Sequence, residues 1–366
     1  IHAVDLRLAR QQSLEGIIIV SGTVSARVDA LTGRVVAGEV QAPVSLPPFH
    51  SSAMDGFSCR SGDLRVGGQL VLVGESLAGH PFRGSLKDGE CIRITTGAAV
   101  PEDADTVVIQ EDTSVSDDLV TLNETPAAGA NIRAIGHDVR RGEPIAHRGQ
   151  LLNPMDLGWI AACGVGSINV FRLPRIAIFS SGDELMEPGG DLSDGQIYDS
   201  NRFAVAALLS HLPAEVTNLG ILPDQPEAIE RALTEAARSH DLLLTSGGVS
   251  VGDADYMKEV VESLGALSLW RMNLKPGKPL AFGRVGDVPF LGLPGNPVST
   301  IVTFLLVARP VILKLAGAPQ REPLVKHAKL SRPIRHNPGR EEYQRGVLTR
   351  EDGEYWVAVT GDQSSN

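Results

Sequence analysis

The residues best suited to chemistry follow three leucines, in the segment LLLTSGGVSVGDADY from Leu242 to Tyr256. The leucines predict the end of a buried strand, and a helix-like run, MKEVVESL, follows the polar turn. Such a junction presents backbone N–H groups at a helix N-terminus, where anions bind. It supplies glycines for close backbone approach, hydroxyls, and carboxylates that suit Mg²⁺: Gly247, Gly248, Ser246, Ser250, Asp253 and Asp255. An ordinary strand-to-helix turn has a similar composition, so the interpretation needs support from elsewhere in the chain.

Other predicted strand ends are polar in the same way. The candidates are Asp183 and Glu184 in SSGDEL, Asp224 after the next strand, Pro294 and Pro297 in LPGNP, and the basic residues Arg271, Lys275 and Lys278 around KPGKP. Together these groups predict a Mg²⁺-dependent phosphate-ester or pyrophosphate site, because cations neutralise phosphate and carboxylates hold divalent metals. The sequence has no GxGxxG after a strand and no Walker A lysine, so neither a dinucleotide oxidoreductase nor a P-loop NTPase is favoured. It also has no evident Ser, His and acid arrangement.

The elements that must position these residues alternate between buried extended runs and amphipathic helices after Arg172. This alternation predicts an α/β fold with an open, mostly parallel sheet and helices on both faces. Ligands of such sheets bind at the carboxyl ends of the strands. In the helix YDSNRFAVAALLSHL, Asp199, Ser200 and Asn201 are suitable capping residues.

The flanking regions have different patterns. Apolar residues are spaced at helical intervals from Val24 to Gly33, and a second helix is predicted from Asn153 to Ala162. Short extended runs with Gly, Pro and Asp turns predict a small β domain between about 62 and 125. The tail from about 321 resembles part of another β domain with too few strands to close, so a truncated chain is expected.

Three further polar positions lie outside the α/β pattern. The proline-rich arm from Ala42 to Cys59 holds Asp55 beside a glycine, Thr96 ends an extended run, and Asp138 lies in a turn among basic residues. Each position is a candidate for contact with a ligand. A simple turn, a structural threonine and a solvated loop would give the same local patterns.

The overall composition limits the class of protein. The chain has 366 residues, enough for two to four domains, and a net charge of −11, which argues against a general nucleic-acid binder. No apolar run approaches the roughly 20 residues of a membrane span. The three cysteines are far apart and lack metal spacing, so neither a disulfide framework nor structural zinc is expected, which suits a reducing cytosol. The chain begins at Ile1, so an earlier N-terminus is expected.

Seven segments occur in a fixed order along the chain: PPFHSSAMDGF, ITTGA, SSGDEL, YDSN, SGGVSVGDADY, KPGKP and GLPGNPVS. In this combination they resemble the MoeA family of molybdopterin molybdenumtransferases, the E-domain family that includes gephyrin. The resemblance extends from about residue 24 to the end of the chain. The SGGVS segment also occurs in related adenylyltransferases and CinA-like proteins, whereas the proline arm with AMDG and the flanking β domains distinguish the MoeA family.

The resemblance implies a cytoplasmic homodimer of elongated subunits. Its expected domains are an extended discontinuous domain (1–43 and 138–172), a small β domain (44–137), a molybdopterin-binding α/β domain (173–320) and a C-terminal β domain (321–366). The family takes adenylylated molybdopterin and molybdate as substrates, cleaves the pyrophosphate link with Mg²⁺, and releases AMP. The molybdopterin adenylyltransferase and apo-molybdoenzymes are the implied protein partners.

By motif position, the resemblance also assigns roles to individual residues. The expected catalytic set is Asp55, Thr96, Asp138, Asp183, Glu184, Asp224 and Asp255, with Glu184 and Asp255 at the metal and Asp55 contributed by the facing subunit. The expected binding set is Ser246, Gly247, Gly248, Ser250, Asp253, Arg271, Lys275, Lys278, Pro294, Pro297, Arg345 and Ser365. Position 271 departs from the family, where lysine is common, and arginine has a different donor geometry. The alternatives are a non-catalytic gephyrin-like scaffold and a CinA-type phosphate-ester enzyme.

Overall fold

A computed structural model describes residues 2–20, 22–248, 256–320, 323–336, 338–361 and 363. Its largest element is a seven-stranded sheet with the spatial order His2–Val4, Gly265–Met272, Pro279–Val285, Val288–Leu293, Leu242–Ser246, Arg175–Ser181, Glu215–Leu222. Four of its six pairings are parallel, and the strand Pro279–Val285 is antiparallel to both neighbours. The expected α/β fold with a mostly parallel sheet is confirmed.

Alternating side chains of the central strands form two separate hydrophobic cores. Ile176 and Ile178 face one core, whereas Ala177 and Phe179 face the other. The first core is covered by the helices Leu6–Leu14, Asn201–Leu209, Pro297–Thr303 and Arg309–Leu315, and the second by Pro226–Ala237 and Tyr256–Leu264. Helices therefore cover both faces of the sheet, as the sequence predicts.

The helix Pro297–Thr303 continues through the π-helical segment Phe304–Ala308 into Arg309–Leu315. Contrary to the expectation that no apolar run approaches the length of a membrane span, the whole helix is long and apolar enough to cross a membrane, with a mean hydropathy of 1.9. Of its apolar window, 61% is buried inside the protein. Its apolar composition is accounted for by packing on the sheet, with Phe304, Val307 and Val311 in the first core.

The first residues of the chain also belong to this α/β unit. The strand His2–Val4 pairs with Trp270 to Met272, and Ala9, Ile17 and Val20 join the first core. Residues 2–20 therefore pack with the α/β sheet rather than with the extended region to which the sequence assigned them. The physical reason is that the partner strand lies far away in the sequence, where no local pattern can indicate it.

The small β domain is built on a six-stranded sheet in the order Thr106–Ile109, Gly56–Cys59, Glu90–Ile94, Gln69–Ser76, Leu119–Leu122, Thr113–Ser116. One-turn 3-10 helices lie at Ser61–Asp63 and Gln110–Asp112. Cys59 and Cys91 lie opposite each other in neighbouring strands, and both are free and buried. Burial raises the pKa of each thiol to about 12, so these side chains act as small core residues at neutral pH.

The extended region joins two distant parts of the chain by short antiparallel pairs. The pairs are Thr23–Arg27 with Ser167–Phe171 and Val40–Gln41 with Pro144–Ala146. A further short pair, Ser51–Ser52 with Ile132–Arg133, belongs to the small β domain, where Ile132 packs against the core. The predicted helix from Val24 to Gly33 is wrong, because strand pairing over five residues replaces it and only a 3-10 turn, Val28–Ala30, remains. The predicted second helix is confirmed at Pro154–Ala162, where Asn153 and Asp156 form a capping box.

The C-terminal region contains a three-stranded sheet of Lys329–Leu330, Glu354–Val359 and Gly346–Glu351. A separate two-residue strand, Glu341–Glu342, pairs in parallel with Leu274–Lys275 of the α/β unit. The remaining short pair is Leu185–Met186 with Ile197–Tyr198. The C-terminal region is thus attached to the α/β unit beside the KPGKP turn.

Candidate functional site

A cleft of about 650 Å³ lies beside the carboxyl ends of the central parallel strands. Its walls are formed by Glu184, Gly247, Gly248, Leu274, Lys275, Pro276, Gly277, Lys278, Pro279, Pro294, Gly295, Asn296, Ser299, Arg340 and Gln363. The cleft brings together residues from SSGDEL, SGG, KPGKP and LPGNP, as the sequence predicts. These four segments come from distant parts of the chain and converge because parallel strands end at the same edge of a sheet.

The floor of the cleft is the turn after the strand Leu242–Ser246. Gly247 has φ +83° and Gly248 has φ +64°, backbone conformations that other residues rarely adopt. A Cβ atom on Gly247 would lie 3.0 Å from the carbonyl oxygen of Ser181. Ser246 is buried at the end of the strand. The glycines therefore let the backbone turn sharply and keep side-chain bulk out of the cleft.

We expect Gly247→Ala to lower the free energy of unfolding by about 1–2 kcal/mol through its left-handed backbone and by a further amount through the contact with Ser181. Gly286→Ala is the matched control, since Gly286 has φ +56° and open space around the position of a Cβ. Urea denaturation of both variants measures the difference. Equal losses in the two variants would show that the close approach to Ser181 contributes nothing.

Directly beside the glycine turn is the LPGNP loop, followed by the N-terminus of a long helix, and the Gly247 N–H donates to the Leu293 carbonyl at 3.2 Å. Pro297 is the first residue of that helix but does not line the cleft. The Thr300 hydroxyl donates to the Pro294 carbonyl at 2.6 Å, and the Asn201 amide donates to the Gly295 carbonyl at 2.6 Å. These bonds hold the loop so that Asn296 and Ser299 line the cleft at the N-terminus of the helix, a position that favours anions.

A buried ion pair flanks Asn201 in the sequence, between Asp199 of the YDSN segment and Arg202. The Arg202 Nε atom donates to Asp199 at 2.8 Å, and these side chains are 3% and 1% exposed. Arg202 also donates to Asn218 at 2.7 Å and to Glu187 at 2.5 Å. The predicted capping segment thus begins a helix, and the ion pairs of Arg202 with Asp199 and Glu187 hold the first turn of that helix in place.

Of the two acids in SSGDEL, Glu184 lines the cleft and Asp183 does not. A Cβ on Gly182 would lie 2.4 Å from the Glu184 carboxylate, so glycine leaves the space that this group occupies. Asp224 lies in the turn after the strand Glu215–Leu222 and does not line the cleft; it accepts a hydrogen bond from the Ser181 hydroxyl at 3.3 Å. Among the described residues, no group of three or more His, Cys, Asp or Glu side chains could hold a metal.

The basic side of the cleft is formed by Lys275, Lys278 and Arg340. Lys275 Nζ lies 2.8 Å from Glu342 Oε1, and His336 Nδ1 lies 2.9 Å from Glu342 Oε2. These hydrogen bonds, first from Lys275 and then from His336, lower the pKa of Glu342 to about 2. Arg271 is exposed on the strand Gly265–Met272 and is not among the lining residues, contrary to its predicted place with the lysines.

Asp55 and Thr96 lie together, but not on this cleft. The backbone N–H of Thr96 donates to Asp55 Oδ1 at 2.6 Å, and the Thr96 hydroxyl donates to the same atom at 2.8 Å. These two bonds, with a smaller effect from Arg93, lower the pKa of Asp55. Asp55 and Arg93 line a separate cavity of about 190 Å³ in the small β domain. Asp138 is exposed in its turn and lines neither space.

The predicted residues Ser250, Asp253, Asp255 and Ser365 lie outside the described part of the chain. Arg345 is described, and its backbone N–H donates to Gln363 at 2.8 Å, but it is not a lining residue. Sequence reasoning missed Arg340 and Gln363, which line the cleft from the C-terminal region. The segment NPGREEYQRG contains a signal that could have pointed to Arg340. In it the arginine directly follows a Pro-Gly turn and precedes an extended stretch.

Three family models together match nearly the whole chain. The MoeA N-terminal region (domains I and II) matches residues 4–164, the probable molybdopterin binding domain 177–314, and the MoeA C-terminal region (domain IV) 327–366. A molybdopterin molybdenumtransferase of Haemophilus influenzae is 39% identical over 361 residues, which cover 98% of this chain and 89% of that protein. The chain belongs to the MoeA family.

Two further comparisons agree with this membership. A molybdopterin molybdenumtransferase of a Nostoc species is 36% identical over 347 residues, 92% of this chain and 80% of that protein. The crystal structure of the molybdopterin biosynthesis MoeA protein of Pyrococcus horikoshii is 28% identical, with a TM-score of 0.81 over 97% of this chain and 90% of that one. This MoeA chain is therefore a molybdenumtransferase-type enzyme of molybdenum cofactor biosynthesis, and the family expected from its seven segments is confirmed.

Proposed function

We propose that the cleft binds adenylylated molybdopterin, and that the enzyme cleaves its pyrophosphate link, releases AMP and leaves molybdenum from molybdate on the pterin. The observation that carries this proposal is the convergence of Lys275, Lys278 and Arg340 with the glycine turn and a helix N-terminus on one cleft. Cations and free N–H groups are the partners that a pyrophosphate requires, and in a cleft they also stabilise the charge that develops during its cleavage.

The proposed reaction adds an oxygen nucleophile to one phosphorus while the P–O bond to the bridging oxygen breaks and AMP departs. Lys275, Lys278 and Arg340 bind the phosphate oxygens, and the Gly247 turn supports the ligand through its backbone. Glu184 is the one carboxylate among the described lining residues. It is placed to orient the attacking oxygen or to accept its proton.

Mg²⁺ fits this donor set, because protein sites for Mg²⁺ use one or two carboxylates together with substrate phosphates. Glu184 would hold the ion, and the space left by Gly182 accommodates its carboxylate. Asp255, the second expected ligand, lies outside the described part of the chain. When bound, Mg²⁺ supplies charge neutralisation on the pyrophosphate.

We also propose a homodimer in which Asp55 of one subunit completes the cleft of the other. The support is that Asp55 is fixed by two hydrogen bonds from Thr96, which lower the pKa of its carboxyl group, and that it is separate from the cleft of its own chain. Mixed dimers of Asp55→Ala and Glu184→Gln subunits should recover activity that neither homodimer has, because one intact site forms. No recovery would contradict this placement.

The proposal includes a cytoplasmic location and contacts with the adenylyltransferase and apo-molybdoenzymes.

The experiment that tests the proposal measures AMP release from adenylylated molybdopterin with Mg²⁺, with and without molybdate, by chromatography. Molybdate-dependent release together with activation of an apo-molybdoenzyme is the expected result. Binding without release would favour a scaffold, and release that ignores molybdate would favour a general pyrophosphatase.

A further inference from the structure

Glu342 occupies an unusual position, because it belongs to the C-terminal region but contacts a lysine of the cleft. Its side chain is 9% exposed, whereas that of its partner Lys275 is 44% exposed. Both carboxylate oxygens are used, one by Lys275 at 2.8 Å and the other by His336 at 2.9 Å. A carboxylate with both oxygens engaged is held in one orientation and in turn restricts its partners.

The backbone around Glu342 is fixed to the α/β unit by a parallel strand pair. The Glu341 N–H donates to the Asn273 carbonyl at 3.0 Å, and the Tyr343 N–H donates to the Lys275 carbonyl at 2.8 Å. Tyr343 also packs against the first hydrophobic core. The ion pair therefore joins two segments whose backbones are already in register.

The geometry leaves Lys275 able to bind a ligand. An ammonium group has three N–H donors, and Glu342 uses one of them. The Lys275 side chain is nearly half exposed and lines the cleft, so the other donors remain available to an anion. Arg340 is two residues before Glu342 on the same segment and lines the same cleft.

We propose that Glu342 is a positioning residue: it holds the Lys275 ammonium at the edge of the cleft and fixes the segment that presents Arg340. The inference rests on the proposed function, since it assumes that the cleft receives the anionic part of adenylylated molybdopterin. A free lysine loses rotamer freedom when it binds a ligand, and a lysine already held by Glu342 loses less.

The negative charge of Glu342 acts in the opposite direction, because it weakens attraction of an anion to the cleft. The other cations that line the cleft, Lys278 and Arg340, offset this effect. The two effects make opposite predictions for Glu342→Ala. Positioning predicts weaker substrate binding, and simple charge neutralisation predicts tighter binding.

The test is a double-mutant cycle in the full-length enzyme, with KM and kcat for AMP release from adenylylated molybdopterin. Glu342→Ala should raise KM about 2- to 12-fold, the range expected for one flexible side chain that must now be ordered on binding, with a smaller change in kcat. In a Lys275→Met background, Glu342→Ala should raise KM by at most half the fold-increase that it causes in the wild-type background. Glu342→Gln, which keeps one acceptor for Lys275, should be intermediate.

Glu354→Ala is the matched control. Glu354 pairs with Lys329 in the same C-terminal region, and neither residue lines the cleft. Its KM should equal that of the wild type. A lower KM in Glu342→Ala, or an equal increase in the Lys275→Met background, would overturn the positioning role. Wild-type KM in Lys275→Met alone would instead show that the cleft assignment in the proposed function is wrong. Thermal unfolding followed by circular dichroism confirms that each variant is folded.

Discussion

Glu184→Gln should lower kcat for AMP release by about 10²–10⁴-fold, the range expected for loss of a positioned acid or base. Glu184 is the one carboxylate that the described residues place on the cleft, and glutamine keeps its shape while it removes the charge and the basicity. Under either proposed role, as metal ligand or as base, the amide cannot replace the carboxylate. Single-turnover kinetics with saturating substrate measures the effect on the chemical step.

The control for this prediction is Asp194→Asn, which removes an exposed acid from the neighbouring loop without changing a lining residue. It should retain wild-type kcat. Binding of substrate by Glu184→Gln should remain within a few-fold of wild type, since the basic residues are intact. An unchanged kcat would remove Glu184 from the catalytic set and leave Asp255 as the remaining candidate acid.

Asp199→Ala should lower the free energy of unfolding by about 1.5–3 kcal/mol, because it removes one of the two carboxylates that hydrogen-bond to a buried arginine. Arg202 is 3% exposed and donates to Asp199 through both its backbone N–H and its guanidinium group. Its remaining partners, Glu187 and Asn218, satisfy only part of the guanidinium. Urea denaturation monitored by circular dichroism measures the loss.

The double variant Asp199→Leu/Arg202→Met separates charge from packing. Replacement of both members of a buried ion pair by apolar residues is often neutral for stability, so this variant should recover most of the loss. If it is as unstable as Asp199→Ala, the defect lies in packing of the helix that follows. Because Asn201 holds the Gly295 carbonyl, we also expect Asp199→Ala to raise KM by disturbing the LPGNP loop.

The α/β unit could be predicted from the sequence because its signals are local. Buried strands such as Leu242–Ser246 are short apolar runs, and the segments after them are polar at the edge where the cleft lies. The convergence of SSGDEL, SGG and LPGNP follows from parallel strand order alone. The seven MoeA-like segments allowed the family to be predicted, and the family in turn indicated the expected substrates.

The sequence failed where a distant partner determines the local structure. Residues from Val24 have a spacing that suits a helix, yet Thr23–Arg27 forms a strand because Ser167–Phe171 provides its hydrogen bonds. Arg340 was missed for a similar reason, since only the pairing of Glu341–Glu342 with Leu274–Lys275 brings it to the cleft. Asp183 and Glu184 are adjacent acids that the sequence does not distinguish as site residues. Only the path of the backbone through the turn places Glu184, and not Asp183, on the cleft.

The pairing of His2–Val4 with the strand that contains Trp270 has a consequence for synthesis on the ribosome. The strand partner of His2 is Trp270, about 268 residues later in the chain. At ~5–20 residues per second, the ribosome takes roughly 13 to 54 s to synthesise the chain between them. The small β domain and the extended region are complete in the meantime, because all their described strand partners lie before residue 172. The α/β unit is completed later still, because the strands Pro279–Val285 and Val288–Leu293 lie between Gly265–Met272 and the earlier strands of the sheet. We therefore expect the nascent α/β unit to be the part of the protein most dependent on chaperones.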